Sequence, residues 1–342
     1  MGNTTKRPEL TLSPTYTPSQ PVNTETFSNA IDRKAGLAAD PFIVYDNGFY
    51  YYMVTMGDKI VIRRSNKIQN ITSDESFTAY TVGNEVKSDI WAPELHKIGD
   101  KWYIYASGAT IKGDFGSIHM FCLESDTSDP FSRYTFKDFV APDTFAIDET
   151  VFTDDKDGKL YTAYSEFTAD GQVIKFAAMV NPWTIDPDKC ITVSKPEYDW
   201  EKKGSPDRTP GLVNEGPAFL QRNGRIFLFY SASGCWSEYY CLGMLTLDTR
   251  DDYFDVSSWD KSSDPVFSTA NKVYGVGHCT FFRSPDLSED WIVYHGKDNP
   301  SNGESNRYGY VQKFTWDSNG YPVLGSPLGK NVQITVPSGQ IE

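Results

Sequence analysis

One hairpin pattern is written five times in this chain, and that repetition constrains the fold more than any other feature. "DPFIVYDNGFYYYMVT" from Asp40 returns as "APELHKIGDKWYIYAS" from Ala92, "DETVFTDDKDGKLYTAYSE" from Asp148, "EGPAFLQRNGRIFLFYSAS" from Glu215 and "HCTFFRSPDLSEDWIVYHG" from His278. Each copy is a short strand-like run, a turn of Gly, Asp or Asn, and a second run dense in aromatic and β-branched residues. The copies start roughly 50 to 70 residues apart, which leaves room for two more strands and a loop, the content of a four-stranded propeller blade. Five such units predict an all-β fold, a five-bladed β-propeller in a single domain. A sandwich of irregular hairpins is the rival, and it does not explain why one hairpin recurs. No long apolar stripe of helical period survives the Pro and Gly punctuation.

The ends fit the same reading. Residues 1–35 are expected to be a flexible lead-in and 36–342 the propeller. "YVQKFTWDSNGYPVL", from Tyr310 to Leu324, reads as one more hairpin, built on Asp317-Ser318-Asn319-Gly320, that completes the ring. No linker marks off a second domain.

Composition narrows the partners. Among 342 residues the formal net charge is -14, so the field should repel nucleic acid and anionic lipid, and a neutral ligand fits best. No apolar run reaches the 18 residues needed to cross a bilayer, and the polar first thirty residues lack a signal-peptide core. The protein is therefore expected to be secreted, with its leader absent from this chain, or else cytoplasmic. Lys6 stands where a myristoylation motif needs Ser or Thr. Five cysteines make neither a disulfide scaffold nor a zinc site, although Cys235 and Cys241 flank "WSEYY" closely enough to close a small loop in a secreted protein. The sequons at Asn3 and Asn70 decide nothing, and oligomeric state is not legible.

The first strand of a propeller blade lines the central channel, so the heads of these strands converge on one mouth. They are Asp40, Trp91-Ala92-Pro93-Glu94, Asp148, Glu215 and His278. A single carboxylate at a strand head is a turn cap as readily as a catalyst. Three acids and a histidine at equivalent heads, without a nucleophile elbow or phosphate loop, point to general acid/base chemistry on a neutral substrate. Glycoside hydrolysis needs that arrangement, because one acid protonates the leaving oxygen while another carboxylate activates water or attacks the sugar.

Taken together, "ADP", "WAPE", "AIDET" and "NEGP" resemble glycoside hydrolase family 43, five-bladed propeller enzymes that cleave α-L-arabinofuranosides and β-D-xylosides. The resemblance runs from about Ala38 to Leu324 with the motifs in family order. It implies inversion, with Asp40 as general base, Glu215 as general acid and Asp148 as the residue that tunes and orients the acid. Like-charge repulsion from Asp40 and Asp148 is expected to raise the pKa of Glu215. The base and acid should stand about 6.5–9.5 Å apart to admit a water. It further implies Trp91 as a sugar-stacking wall, Glu94 as a structural partner, Arg307 as a group reaching substrate hydroxyls, and His278 as the axial histidine near a structural calcium. No cofactor is required for the chemistry.

Phe115, and more weakly Trp236, are expected to shape a second sugar subsite, while His96, His119 and His295 read as structural. The runs around "WAPELHK" and "NEGPAFLQ" look most like the exo-acting α-L-arabinofuranosidases that trim arabinan. A β-xylosidase or dual arabinofuranosidase/xylosidase, an endo-arabinanase and a non-catalytic sugar-binding propeller are the alternatives, in that order. The xylosidases commonly carry a large C-terminal β-sandwich, and this chain reaches only Glu342.

Overall fold

The computed structural model describes residues 24–33, 38–204, 211–301 and 303–341. Five four-stranded antiparallel sheets follow one another along the chain, each a simple meander of consecutive strands. Blade 1 comprises Phe42–Asp46, Phe49–Met53, Lys59–Ser65 and Glu75–Thr81, and blade 2 Ser88–Ile98, Lys101–Ala109, Ile118–Ser125 and Tyr134–Phe139. Blade 3 comprises Ala146–Thr153, Leu160–Thr168, Gly171–Asn181 and Thr184–Ser194, and blade 4 Asn214–Arg222, Arg225–Ala232, Cys241–Asp248 and Trp259–Lys261. Tyr274–Arg283, Asp290–Lys297, Arg307–Trp316 and Pro322–Val323 form blade 5. The fold is the expected five-bladed propeller.

The density of aromatics in the repeats has a packing cause. The second strand of each blade is buried on both faces, so its alternating side chains feed the seams on either side. Tyr50 and Tyr52 pack toward blade 5, while Tyr51 and Met53 pack with Trp102 and Ile104 of blade 2. Tyr103 and Tyr105 in turn meet Val151 and Tyr164 of blade 3. Every seam carries at least one such cluster, so the core is a ring of five wedges. The turns follow the residue types. Asn47 and Gly48, both with positive φ, form the two-residue connection between Asp46 and Phe49, and Asn223 and Gly224 do the same between Arg222 and Arg225.

Ring closure differs from expectation. The Tyr310–Leu324 stretch supplies the third and fourth strands of blade 5, turning at Asp317 to Gly320, and does not itself join the ends. The seam between blades 5 and 1 is instead clasped by both flanks. Thr26–Ser28 pairs with Gln333–Thr335, and Asp32 bridges Gly309. Phe27, Ile31 and Val336 insert into the cluster shared by the two blades. Of the expected lead-in, residues 24–33 are thus packed against the ring, and the remainder lies outside the described residues apart from the segment just named.

The feature that builds the mouth is a bulge. In blades 2 to 5 the first strand gains one residue relative to its partner after Trp91, Ile147, Glu215 and Gly277. The next residue takes positive φ in each: Ala92 at 44°, Asp148 at 61°, Gly216 at 52° and His278 at 47°. Asp40, at 55°, occupies the same place just ahead of blade 1. Bulges re-aim side chains, and these four, with the matching turn at Asp40, face one end of the channel.

Candidate active site

Asp40 is fixed from several sides. Its Oδ2 accepts from the Thr55 hydroxyl at 2.6 Å, and its Oδ1 lies 3.3 Å from His278 Nδ1 and 3.4 Å from Arg307 NH1. Burial alone would raise its pKa. The positive charges of His278 and Arg307, then the His295 ring and the Thr55 hydroxyl, outweigh burial and hold the carboxyl well below the usual range, so Asp40 is ionised.

Asp148 and Glu215 go the other way. Burial is the main cause for both. Asp148 is pushed up to about 7, opposed by His278 and helped by the charges of Glu215 and Asp40. Glu215 is also raised, against the donors Tyr240 and Gln172. Its Oε1 accepts from the Tyr240 hydroxyl at 2.8 Å and its Oε2 from the Gln172 amide at 2.9 Å. The two acids interact closely enough to titrate as a pair. The expected like-charge origin of the Glu215 shift is therefore secondary: burial leads, and Asp40 contributes least of the causes resolved. Asp148 Oδ2 accepts the N–H of Gly216, the residue that follows Glu215, at 3.0 Å. It therefore holds the main chain beneath that acid.

Glu215 does not occupy the same register position as Asp40 and Asp148. It stands one residue earlier, level with Trp91, Ile147 and Gly277, and Gly216 takes the bulge. The glycine leaves room there. Its φ is +52°, and a Cβ would stand 3.0 Å from the His278 ring. His278 is buried, and although burial opposes protonation, Asp40, Asp148 and Glu215 raise its pKa. His278 thus faces all three acids of the mouth.

The family model described as "Glycosyl hydrolases family 43" matches residues 34–322. The chain belongs to glycosyl hydrolase family 43. It is 36% identical over 325 residues to an "Extracellular exo-alpha-(1->5)-L-arabinofuranosidase" of Streptomyces avermitilis, covering 90% of this chain and 65% of that protein. It is 40% identical over 272 residues to a protein of the same description from Streptomyces chartreusis, covering 76% of this chain and 80% of the relative. A solved α-L-arabinofuranosidase from Lactobacillus brevis superposes with a TM-score of 0.80 at 35% identity, over 90% of this chain and 98% of that one. The chain thus spans somewhat less than two thirds of the length of the first of these relatives.

Within this family 43 chain the other expected residues fall as follows. Trp91 is half-buried on the mouth side of blade 2, its ring 5.5 Å from that of Phe115, which is 56% exposed. Phe145 and Phe167, stacked at 4.0 Å, continue that aromatic rim on blade 3, with Phe115 edge-on to Phe145 at 5.0 Å. Neither was singled out by sequence. Arg307 reaches the mouth, where its contact is Asp40. Glu94 is buried and accepts from His96 at 2.7 Å, and His119 meets the Thr144 carbonyl. Trp236 packs in the loop after the second strand of blade 4, its ring covering Gly234.

Several expectations change. Cys235 and Cys241 are free thiols, so the small disulfide loop does not form. Among the described residues no group of three or more His, Cys, Asp or Glu side chains that could hold a metal ion occurs, and the structural calcium near His278 stays an expectation. His295, read as structural, lies against Asp40, its Nδ1 accepting the Asp40 N–H at 3.2 Å. Thr55, Gln172 and Tyr240 also escaped sequence reading. Thr55 and His295 could have been found from their place at the end of each blade's second strand, whereas Gln172 and Tyr240 have no repeat position to betray them. Among the described residues no helix is long and apolar enough to cross a membrane.

Proposed function

We propose that this protein is an inverting α-L-arabinofuranosidase that releases terminal arabinose from arabinan or arabino-oligosaccharides. The observation that carries the reading is three acids gathered at one mouth in unlike surroundings: Asp40 faces His278, Arg307 and the Thr55 hydroxyl, which lower its pKa, while Asp148 and Glu215 are raised by burial. Two carboxyls whose environments push their pKa values apart are what general base and general acid require.

In this reading Asp40 takes a proton from a water as its oxygen bonds to the anomeric carbon. Glu215 gives its proton to the glycosidic oxygen as that bond breaks, and the α-linked sugar leaves as the β-anomer. Asp148 keeps Glu215 in place through the Gly216 N–H and shares its proton. Trp91 and Phe115 offer apolar faces to the C–H side of a furanose, Arg307 braces Asp40 and reaches sugar hydroxyls, and His278 balances the charge. No step runs through an ion. The choice of sugar rests on the names of the Streptomyces and Lactobacillus relatives, and an extracellular site of action on the description of the former.

The test is a parallel assay on 4-nitrophenyl α-L-arabinofuranoside, 4-nitrophenyl β-D-xyloside and linear arabinan, with products separated by chromatography. Arabinose as the sole early product is expected. Dominant xyloside cleavage, or an early ladder of arabino-oligosaccharides, would replace the reading with a xylosidase or an endo-arabinanase.

A further inference from the structure

One residue near or just past the end of each second strand occupies an equivalent place, across from the residue before the positive-φ turn. Ser107 pairs with Trp91, Ser165 with Ile147, Ser231 with Glu215 and His295 with Gly277, while the Thr55 N–H bonds the Ala39 carbonyl. Four blades put a hydroxyl there and blade 5 alone puts an imidazole. The hydroxyls of Thr55, Ser107 and Ser231 accept the bulge N–H of the next blade, from Ala92 at 2.7 Å, Asp148 at 3.2 Å and His278 at 2.7 Å. Ser165 instead donates to the Asn214 carbonyl. His295 serves the blade 5 to blade 1 seam in the same way, with Nδ1 accepting from Asp40 N at 3.2 Å.

This bond fixes the ring's chemistry. A nitrogen that accepts a main-chain N–H carries no proton, so the proton sits on Nε2 and the ring is neutral. Burial and the nearby Arg307 charge favour the same state. The 3.5 Å approach of Nδ1 to Asp40 Oδ1 is therefore not an ion pair, because both atoms are acceptors. The ring is also tied to the opposite acid. It lies nearly parallel to Tyr240, 4° between planes and 5.5 Å between centroids, and the Tyr240 hydroxyl donates to Glu215. Gly277, across the strand from His295, leaves the space for that tyrosine: a Cβ there would come within 2.4 Å of its ring.

We infer that His295 is a positioning residue for the reaction, whose neutral imidazole holds Asp40 in its left-handed conformation and, stacked on Tyr240, sets the placement of Asp40 relative to Glu215. The inference rests on the proposed roles of those two acids. Nδ1 lies one bond farther from the main chain than a serine Oγ, so a hydroxyl at this seam falls short of the Asp40 N–H. Asparagine Oδ1 lies at the same bond count as Nδ1.

The test compares H295N, H295S and H295A with the wild-type chain on an aryl glycoside that the wild type hydrolyses, alongside thermal melts. For H295A and H295S, kcat is expected to fall about 100-fold, the scale of an ångström's misplacement, with KM within about threefold. H295N should recover to within about tenfold of wild type. H295S carries the side chain native to three other blades, so it keeps the comparison usable if H295A fails to fold. Equal kcat for H295S and H295N, or losses that follow the melting temperature alone, would overturn the inference. The 15N shifts of the His295 ring decide independently of turnover: Nδ1 bare and Nε2 protonated at about pH 5 is expected, and a cationic ring contradicts it. Wild-type silence on arabinofuranosides would count against the proposed function, whereas the ring's protonation state tests this inference by itself.

Discussion

At the scale of single residues, the account turns on where protons sit. Glu215→Ala should lose far more activity on an arabino-oligosaccharide than on 4-nitrophenyl α-L-arabinofuranoside, because nitrophenolate departs with little protonation. A gap of at least tenfold in kcat/KM loss between the two substrates is expected, and equal losses would remove Glu215 from the acid role. The pH profile follows from the same groups. Asp40 titrates below the usual carboxylate range, so activity should persist into acid, while the alkaline limb should lie above the ordinary glutamate range because burial raises Glu215. Stability carries a matching signature. The folded pKa of Asp148 is raised from 3.8 to about 7, so the native state binds the extra proton between those values and stability drops as pH rises through that window. Asp148→Asn, which cannot ionise, should therefore melt higher than wild type at pH 8, with the difference shrinking toward pH 4. A constant difference across that range would contradict the shift.

At the scale of elements, the bulge at the head of each first strand is what makes a packing motif into a site. Thr55 shows how closely the two are joined, because its hydroxyl donates to Asp40 Oδ2 and accepts the Ala92 N–H. Thr55→Val should cost about 1–3 kcal/mol in denaturant unfolding, the scale of an unsatisfied buried donor. It should also move the acid limb of the pH profile upward, since Asp40 loses a donor to its charged form. An unchanged acid limb would show that the hydroxyl does not help hold that charge. The hairpins themselves were legible: the turn pairs Asn47-Gly48 and Asn223-Gly224 and the aromatic second strands announce them. What period-2 reading could not supply is the extra residue of each bulge. For that reason Glu215 looked equivalent to Asp40 and Asp148, although Gly216 is the true counterpart. The repeat shows the place of His295 at the end of its strand, but its partner depends on the register shift in the strand across from it and on the next blade along.

At the scale of the whole molecule, five similar wedges leave one seam that chain connectivity does not close. Phe27, Ile31 and Val336, brought in by the paired strands Thr26–Ser28 and Gln333–Thr335, fill it. Phe27→Ala should destabilise by roughly 3–5 kcal/mol, as expected for emptying a buried aromatic site, and a loss below about 1 kcal/mol in denaturant titration would show that the clasp is dispensable. The repeat made the ring readable from sequence, but the clasp lies in segments with no repeat partner, and the burial of Phe27 depends on a strand three hundred residues away.

The central claim is that one mouth holds an ionised base and a protonated acid for direct displacement at the anomeric carbon. Proton NMR of the first turnovers on 4-nitrophenyl α-L-arabinofuranoside tests it most directly. β-Arabinofuranose appearing first, and only later equilibrating, is the predicted result. α-Arabinofuranose as the initial product would mean retention through a covalent intermediate and would contradict the roles given to Asp40 and Glu215.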